Sequence, residues 1–429
     1  VGAQAVCGRY DDFNSIGYGF GIDETGHLGF IVADGKEFDA VLSEIPLQRH
    51  IWYFIGASYD ASTGRATLHQ MGVVNRYNSL WGKVTPMDYD SHVSETLRFK
   101  PKHAPDISFL VGGTWDFHAN RGKFVNELYS GKVDRPGVVS RALSREEFDH
   151  ICSGGKPPKN DILAYWDTSV GYTDTGIGDT VTDTGPHGLH AIGVNKPVRA
   201  QTGWNWNGRN DCFRLAPEEY GGIEFHDDAI IDCGWDVTHR LTIPDNLKSG
   251  VYAIRLRAGE GTGLGEEYIV FFIRAKTPRA PIALLIPTAS YLAYANDHLT
   301  FDAQMAQPIV GQTPIVSDID IEVYQSPEFG LSTYDHHRDG AGVCYSSYRR
   351  PIVSLHPKYR NPMNGVTWQF PADLSIVAWL EHCNYDYEVL TDEDLHREGV
   401  DSITPYKCVI TGTHPEYYSE TMLDATEDF

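Results

Sequence analysis

Hydrophobic and polar positions follow two different rhythms along this chain. Up to about residue 200 they alternate in short runs, as in GYGFGIDETGHLGFIVADG (17–35), with glycines where the runs break. Alternation with period two marks a strand with one buried face, and the glycines supply turns. HIWYFIGASYDASTGRATLHQ (50–70) reads as two such strands joined by an Asp-Ala-Ser-Thr-Gly turn. DISFLVGG (106–113) and DILAYWDTS (161–169) predict further strands. FVNELYSGKVDRPGVVSRALSREEFDHI (124–151) predicts strand, turn and strand, then a short helix with Ser144 as N-cap and Glu147 at the N3 position. Short strands at this spacing imply a sandwich. A second β unit follows, in which WDVTHRLTIPDNLKSGVYAIRLRAG (235–259) and EEYIVFFIRAK (266–276) read as edge and core strands. The linker AKTPRAP (275–281) is stiffened by Pro278 and Pro281.

From residue 281 the rhythm changes. PIALLIPTASYLAYAN (281–296) opens with a continuous apolar run, the mark of a strand buried on both faces. DLSIVAWLEHCNY (373–385) has helical spacing, with Asp373 placed to cap its start. DYEVLTDEDLHREGV (386–400) predicts a strand and a capped helix, and YKCVITGTHPEYYSETMLDA (406–425) a strand, a loop and a helix. Strands alternating with helices through short loops imply βαβ units and a parallel sheet, whose site lies beyond the carboxyl ends of the strands.

Charge and cysteine usage remove several function classes. The formal net charge of −23 opposes nucleic acid and anionic membrane surfaces alike. No apolar run approaches the 18 residues that a membrane span requires. Seven scattered cysteines without a CxxC pair exclude a zinc ribbon and predict reduced thiols in a cytoplasmic setting. The 429 residues suit two to four domains, and both termini read as truncated, with no signal peptide.

The chemistry of the loops narrows the field further. GEGTGLG (259–265) joins two strands and opens no helix, so it is no dinucleotide site. The repeated TDTG in 173–185 is a turn-rich surface loop without EF-hand spacing. A G-x-S-x-G elbow is absent, and Cys408 lies inside a strand. In DHHRDG (335–340) adjacent histidines on an extended segment point opposite ways, which disfavours joint metal ligation. What remains is oxygen chemistry. Tyr291, Tyr294, Tyr334, Tyr345, Tyr348, Tyr417 and Tyr418 gather near the three strand-end loops. The chain holds 24 tyrosines, so most of them pack.

Several blocks carry resemblances. WYFIGASYDASTG (52–64) and ELYSGKVDRPGVVSRALSREEF (127–148) resemble the laminin-G-like, or concanavalin A-like, jelly roll, a module that often binds sugars or calcium. IPDNLKSGVYAI (243–254) is similar to an immunoglobulin-like loop and core strand. SYLAYAN (290–296), FGLSTYDHHRDGAG (329–342), SSYRRP (346–351), WLEHCNYDYEVLTDEDLH (379–396) and VITGTHPEYYS (409–419), in this order, resemble the large (beta) subunit of N,N-dimethylformamidase. The implied architecture is multidomain. Residues 1–204 form a jelly-roll sandwich, 205–277 an immunoglobulin-like β unit, and 278–429 an amidotransferase-like α/β domain that is incomplete at its C-terminus.

That resemblance implies a mononuclear Fe(III) held by Tyr294, Tyr334 and Glu416. Ferric iron is hard and favours anionic oxygen, and two phenolates with one carboxylate neutralise it. His414 takes the general-base or proton-shuttle role beside Glu416, and Asn296, His337 and Asp339 become candidates to hydrogen-bond the ligands from behind. The expected substrate is a small N-substituted amide, with a small partner subunit and oligomers of the large one. A competing reading is a carbohydrate- or calcium-binding lectin-like module with a non-catalytic α/β scaffold. A third, a cysteine-dependent hydrolase, requires Cys408 or Cys383 exposed beside a histidine.

Overall fold

The alternating runs of the first half pair as antiparallel ladders in the computed structural model, which describes residues 3–78, 86–103, 105–120, 122–173, 176–259, 265–302, 308 and 310–429. The chain divides into two units, Val1–Asp227 and Asp228–Phe429. In the first, β1 (Gln4–Asp11), β2 (Ile16–Ile22), β3 (Leu28–Asp34) and β4 (Phe38–Leu42) pair successively. On the far side of β1 lie β8 (Leu110–Val111) and β9 (Thr114–His118), with β10 (Gly122–Asn126) beyond β9. A second sheet holds β5 (Tyr53–Asp60), β6 (Arg65–Gly72) and β7 (Ser91–Thr96). Leu28, Phe30 and Val32, two residues apart, meet Ala66 and Leu68 in a shared core. The Asp60–Gly64 turn forms as the sequence predicts: the Asp60 carboxylate accepts from Ser62 and Thr63, and Gly64 takes φ 73°.

The helix α1 (Arg145–Cys152) carries the predicted capping box, Ser144 with Glu147. Its buried Phe148 lies against β5 at Gly56, where a Cβ would come within 2.5 Å of the ring. A third sheet combines β11 (Gly131–Val133), β12 (Val198–Gln201) and β13 (Gly222–Phe225), with β13 in the middle. The run DISFLVGG gives only the two-residue β8, because only Leu110 and Val111 find partners, on β1. Residues 174–175 of the TDTG loop lie outside the described residues.

In the second unit, β14 (Gly250–Ala258) and β15 (Gly265–Ile273) form an antiparallel hairpin. Residues 260–264 of GEGTGLG, between them, lie outside the described residues. The edge strand expected around 235–243 does not form: Trp235, Val237, Leu241 and Ile243 are exposed, and Pro244 follows, which cannot donate to a ladder. The hydrophobic run becomes β16 (Ile282–Ile286), the middle of a parallel sheet flanked by β17 (Tyr387–Thr391) and β18 (Cys408–Thr411). Both its faces are covered. Leu284 and Ile286 pack with Tyr291, Phe370, Leu380 and Val389; Ala283 and Leu285 pack with Leu390, Leu395, Ile403 and Met422. Burying each large side chain contributes roughly 1.5–3 kcal/mol.

Helices follow the strands: α2 (Thr288–Ala293) after β16, α5 (Asp392–Glu398) after β17 and α6 (Glu420–Asp428) after the loop that leaves β18. Between α2 and β17 lie α3 (Asp318–Gln325) and α4 (Phe370–His382). The start of α4 differs from expectation. Gln369 caps it with φ 54°, Pro371 follows in the first turn, and Asp373 lies inside the helix, buried.

Candidate functional site

The carboxyl ends of β16 and β18 each release a loop or short helix that carries chemistry. After β16, Pro287 introduces α2, and Tyr294 follows its last turn. After β18, Gly412 leads into the loop with His414, Glu416 and Tyr417. Three anchors fix this second loop: Thr413 N donates to Asp373 Oδ1 at 2.5 Å, Glu416 N donates to Ser290 Oγ of α2 at 2.9 Å, and Ser419 caps α6.

Tyr334 arrives from a segment without regular structure, so it needs other supports. Thr333 donates to Ala293 O through both N and Oγ1 at 3.0 Å. The buried Asp335 carboxylate accepts from Ser332 N and His298 N, each at 2.8 Å. Arg350, of the SSYRRP block, donates to Ala295 O, Phe329 O and Gly330 O, and burial depresses its guanidinium to about 10. A buried cation surrounded by carbonyls is strongly specified, because its donors have no water to fall back on.

The result is convergence. Tyr294 Oη donates to Glu416 Oε2 at 2.7 Å, and Tyr334 Oη lies 3.4 Å from the same oxygen. His414 Nε2 is 2.9 Å from it. The rings of Tyr294 and Tyr334 stack with centroids 4.1 Å apart, and Tyr334 Oη meets Tyr417 Oη at 2.6 Å. Trp368 packs against both Tyr294 and His414. The side chains of His414 and Glu416 stay 35% and 42% exposed, so solvent and small molecules reach them. Hydrogen bonding from Tyr294, assisted by His414 and Tyr334, holds the Glu416 carboxyl below its ordinary value. Burial, with the hydrogen bonds to Tyr334 and Glu416, raises the Tyr294 phenol well above its own. Burial and the bond to Tyr334 push Tyr417 up to about 12.

These four groups form a donor set of two phenols, one carboxylate and one imidazole focused on one point. Hard trivalent cations select anionic oxygen of this kind, and three such oxygens match their charge. The arrangement can therefore hold a hard cation with an imidazole at its rim.

The remaining sequence candidates follow Tyr294 and Tyr334 along the chain, and the bonds described for them run to other groups than the converging ones. Asn296, at φ 60°, accepts from Val353 N at 2.8 Å and donates to Pro351 O at 2.9 Å, fixing the segment beside Tyr294. His337 Nδ1 meets Asp228 Oδ1 at 2.6 Å in a buried pair, and Asp339 accepts from Ala341 N at 2.9 Å. Of the seven loop tyrosines, Tyr294, Tyr334 and Tyr417 converge; Tyr291 is buried, Tyr418 packs on the core, and Tyr345 and Tyr348 are exposed. For the cysteine reading, Cys408 and Cys383 are both exposed, but among the described residues neither thiol bonds a histidine. Cys408 opens β18 and Cys383 ends α4, whereas His414 follows the other end of β18. Trp368, Asp335, Arg350 and the true role of Asp373 escape sequence reasoning, because each acts through long-range contacts that no local spacing announces.

Residues 198–429 match the family model described as N,N-dimethylformamidase beta subunit-like, C-terminal. The N,N-dimethylformamidase beta subunit of Paracoccus aminophilus is 40% identical over 435 residues, covering 100% of this chain and 56% of that protein. The protein of the same name from an Alcaligenes species is 38% identical over 434 residues, again with 100% and 56% coverage. The chain thus spans little more than half the length of these relatives.

Proposed function

Since the chain belongs to the N,N-dimethylformamidase beta-subunit family, we propose that it carries the active site of an amidohydrolase. The substrate is a small N-substituted formamide, and the products are an amine and a carboxylate. The observation that carries this reading is the meeting of Tyr294, Tyr334 and His414 at one oxygen of Glu416. Tyr294, Tyr334 and Glu416 would hold a single Fe(III), which when bound supplies Lewis acidity and positive charge for attack on an amide carbonyl.

The protein's own groups do the rest. His414, partly exposed at the rim, takes the proton of the attacking water as oxygen bonds to the acyl carbon. When the C–N bond breaks, His414 returns that proton to the departing nitrogen, so the amine leaves neutral and the acyl group leaves as the carboxylic acid, which then passes its own proton to the amine and becomes the carboxylate. The hydrogen bond between His414 Nε2 and Glu416 Oε2 orients the imidazole for both transfers. Trp368, Tyr294 and Tyr334 pack together as an aromatic cluster beside Glu416, apolar surroundings suited to N-methyl groups.

The finer architecture belongs to the same proposal. The facing antiparallel sheets support a laminin-G-like jelly roll in 1–204, and the parallel sheet supports an amidotransferase-like domain in 278–429. The hairpin β14–β15 is the core of an immunoglobulin-like segment within 205–277. The beta-subunit name of the relatives supports assembly with a partner subunit; that this partner is small, and that further copies of this chain join it, belong to the same proposal. Cysteine usage supports a cytoplasmic setting, and among the described residues no helix is long and apolar enough to cross a membrane.

The test is iron analysis with a visible spectrum on the full-length protein. We expect stoichiometric iron and a tyrosinate-to-iron absorption band that shifts or fades in Tyr334→Phe. A colourless, iron-free wild type would overturn the reading.

A further inference from the structure

One buried carboxylate touches both elements that carry the converging groups. Asp373, in the first turn of α4, is 1% exposed. Its Oδ2 accepts from Tyr291 Oη at 2.5 Å, and its Oδ1 accepts from Thr413 N at 2.5 Å. Tyr291 lies on α2, one helical turn before Tyr294. Thr413 immediately precedes His414 and lies three residues before Glu416. The two oxygens of one side chain therefore hold the helix of the first phenol and the loop of the imidazole and carboxylate.

The surroundings leave this clamp little slack. A Cβ on Gly412 would come within 2.3 Å of Asp373 Oδ2 and 2.6 Å of Pro287 Cδ, so the loop passes where only glycine fits. Pro287 ends the β16 connection and introduces α2, so both strand-end connections meet at this carboxylate. The Tyr291 ring packs edge-on to Phe370, at the start of α4, with centroids 5.9 Å apart. Both oxygens of the carboxyl are thus engaged, one by each strand-end connection.

We propose that Asp373 is a positioning residue for the hydrolysis: through Tyr291 and Thr413 it sets the separation between Tyr294 and the His414–Glu416 pair. This rests on the reading of the site as an amidohydrolase centre. Asp373 touches none of the reacting groups and acts through the geometry of those that do.

The experiment uses the full-length protein with its partner subunit, in wild-type, Asp373→Ala, Asp373→Asn and Tyr291→Phe forms. In the metal-free state, hydrogen exchange of the Thr413 amide reads the clamp directly. It is expected to be at least about 100-fold faster in Asp373→Ala and restored towards wild type in Asp373→Asn, whose amide oxygen still accepts. In the iron-loaded state, Tyr291→Phe, which keeps its ring, is expected to lower kcat about 10-fold with KM within about threefold, and to move the tyrosinate band. Asp373→Ala is expected to bind iron about 10–100-fold more weakly, the scale seen when a ligand's support is removed.

If Asp373→Ala folds and retains Thr413 protection, or Tyr291→Phe retains the wild-type kcat and band, the inference fails. If Asp373→Ala does not fold, Tyr291→Phe and Asp373→Asn decide it by the same readouts. An iron-free and inactive wild type would refute the amidohydrolase reading instead, while the exchange of Thr413 would still judge the clamp.

Discussion

Two clusters of titratable side chains, one in each unit, are built from opposite materials. On the first unit's second sheet, His69 of β6 faces His92 of β7, with the two Nδ1 atoms 3.0 Å apart. The His69 ring lies on Phe148, with centroids 4.4 Å apart, and it is buried. Two bases in an apolar setting share one proton between them, and burial pushes His69 down to about 4. In the second unit, two phenols and one imidazole converge on a carboxylate oxygen, and the carboxylate stays 42% exposed. The histidine pair is closed and neutral, with every group spent on packing. The tyrosine–glutamate cluster is open and acidic, with lone pairs aimed at one place. Perturbed ionisation alone does not mark a site; convergence of donors with access does.

The comparison breaks most readily at Glu416. Glu416→Gln keeps the volume and removes the charge on which both phenols and His414 converge. Iron binding is expected to fall at least about 100-fold, and hydrolysis of the proposed N-substituted formamide substrate to vanish. Stoichiometric iron in this variant would mean that the cluster is a hydrogen-bond network and no more, like the histidine pair. His414→Ala probes the base rather than the ligands. It is expected to keep iron and its colour while kcat falls about 10²–10³-fold. Loss of iron together with activity would make His414 a ligand instead.

The sequence made some of this visible and hid the rest, for physical reasons. β16 was legible because a strand covered on both faces must be apolar throughout, and Leu284 and Leu285 are. The capping box of α1 was legible because Ser144 and Glu147 act across three residues. The site residues Tyr294, Tyr334, His414 and Glu416 are legible only through a resemblance between blocks, since nothing local distinguishes Tyr334 from Tyr345. What stayed hidden depends on distant partners. Asp373 looks like a helix cap by spacing, yet it serves Tyr291 and Thr413, which are 82 and 40 residues away. The stretch from Trp235 to Ile243 alternates well enough to suggest a strand, but alternation makes no strand without a neighbouring ladder to join.

The smallest expected effect concerns the histidine pair, and acid sharpens the contrast. Arg145 also disfavours charge on His69, with Asp149 working against it, but burial and the facing His92 dominate. An unfolded histidine titrates near 6.5, whereas His69 in the folded chain titrates at about 4. Between those values the unfolded chain binds more protons, so stability rises with pH across the window. The contribution is complete above about 6.5 and lost progressively as pH falls towards 4. Its size is on the order of 2 kcal/mol once partial solvent screening is allowed for. His69→Gln removes the titration, so denaturant unfolding at pH 7 and pH 4 should show wild type losing about 2 kcal/mol more than the variant. Equal losses would mean that the pair protonates freely and is not closed. Glu416 should behave differently over the upper part of the same descent. Its carboxyl is held below the ordinary range by the bond from Tyr294, so it remains ionised while the histidine pair is already losing its contribution. Acid thus discriminates between the two kinds of cluster: it takes stability from the bases that burial keeps neutral before it reaches the acid that its neighbours keep charged.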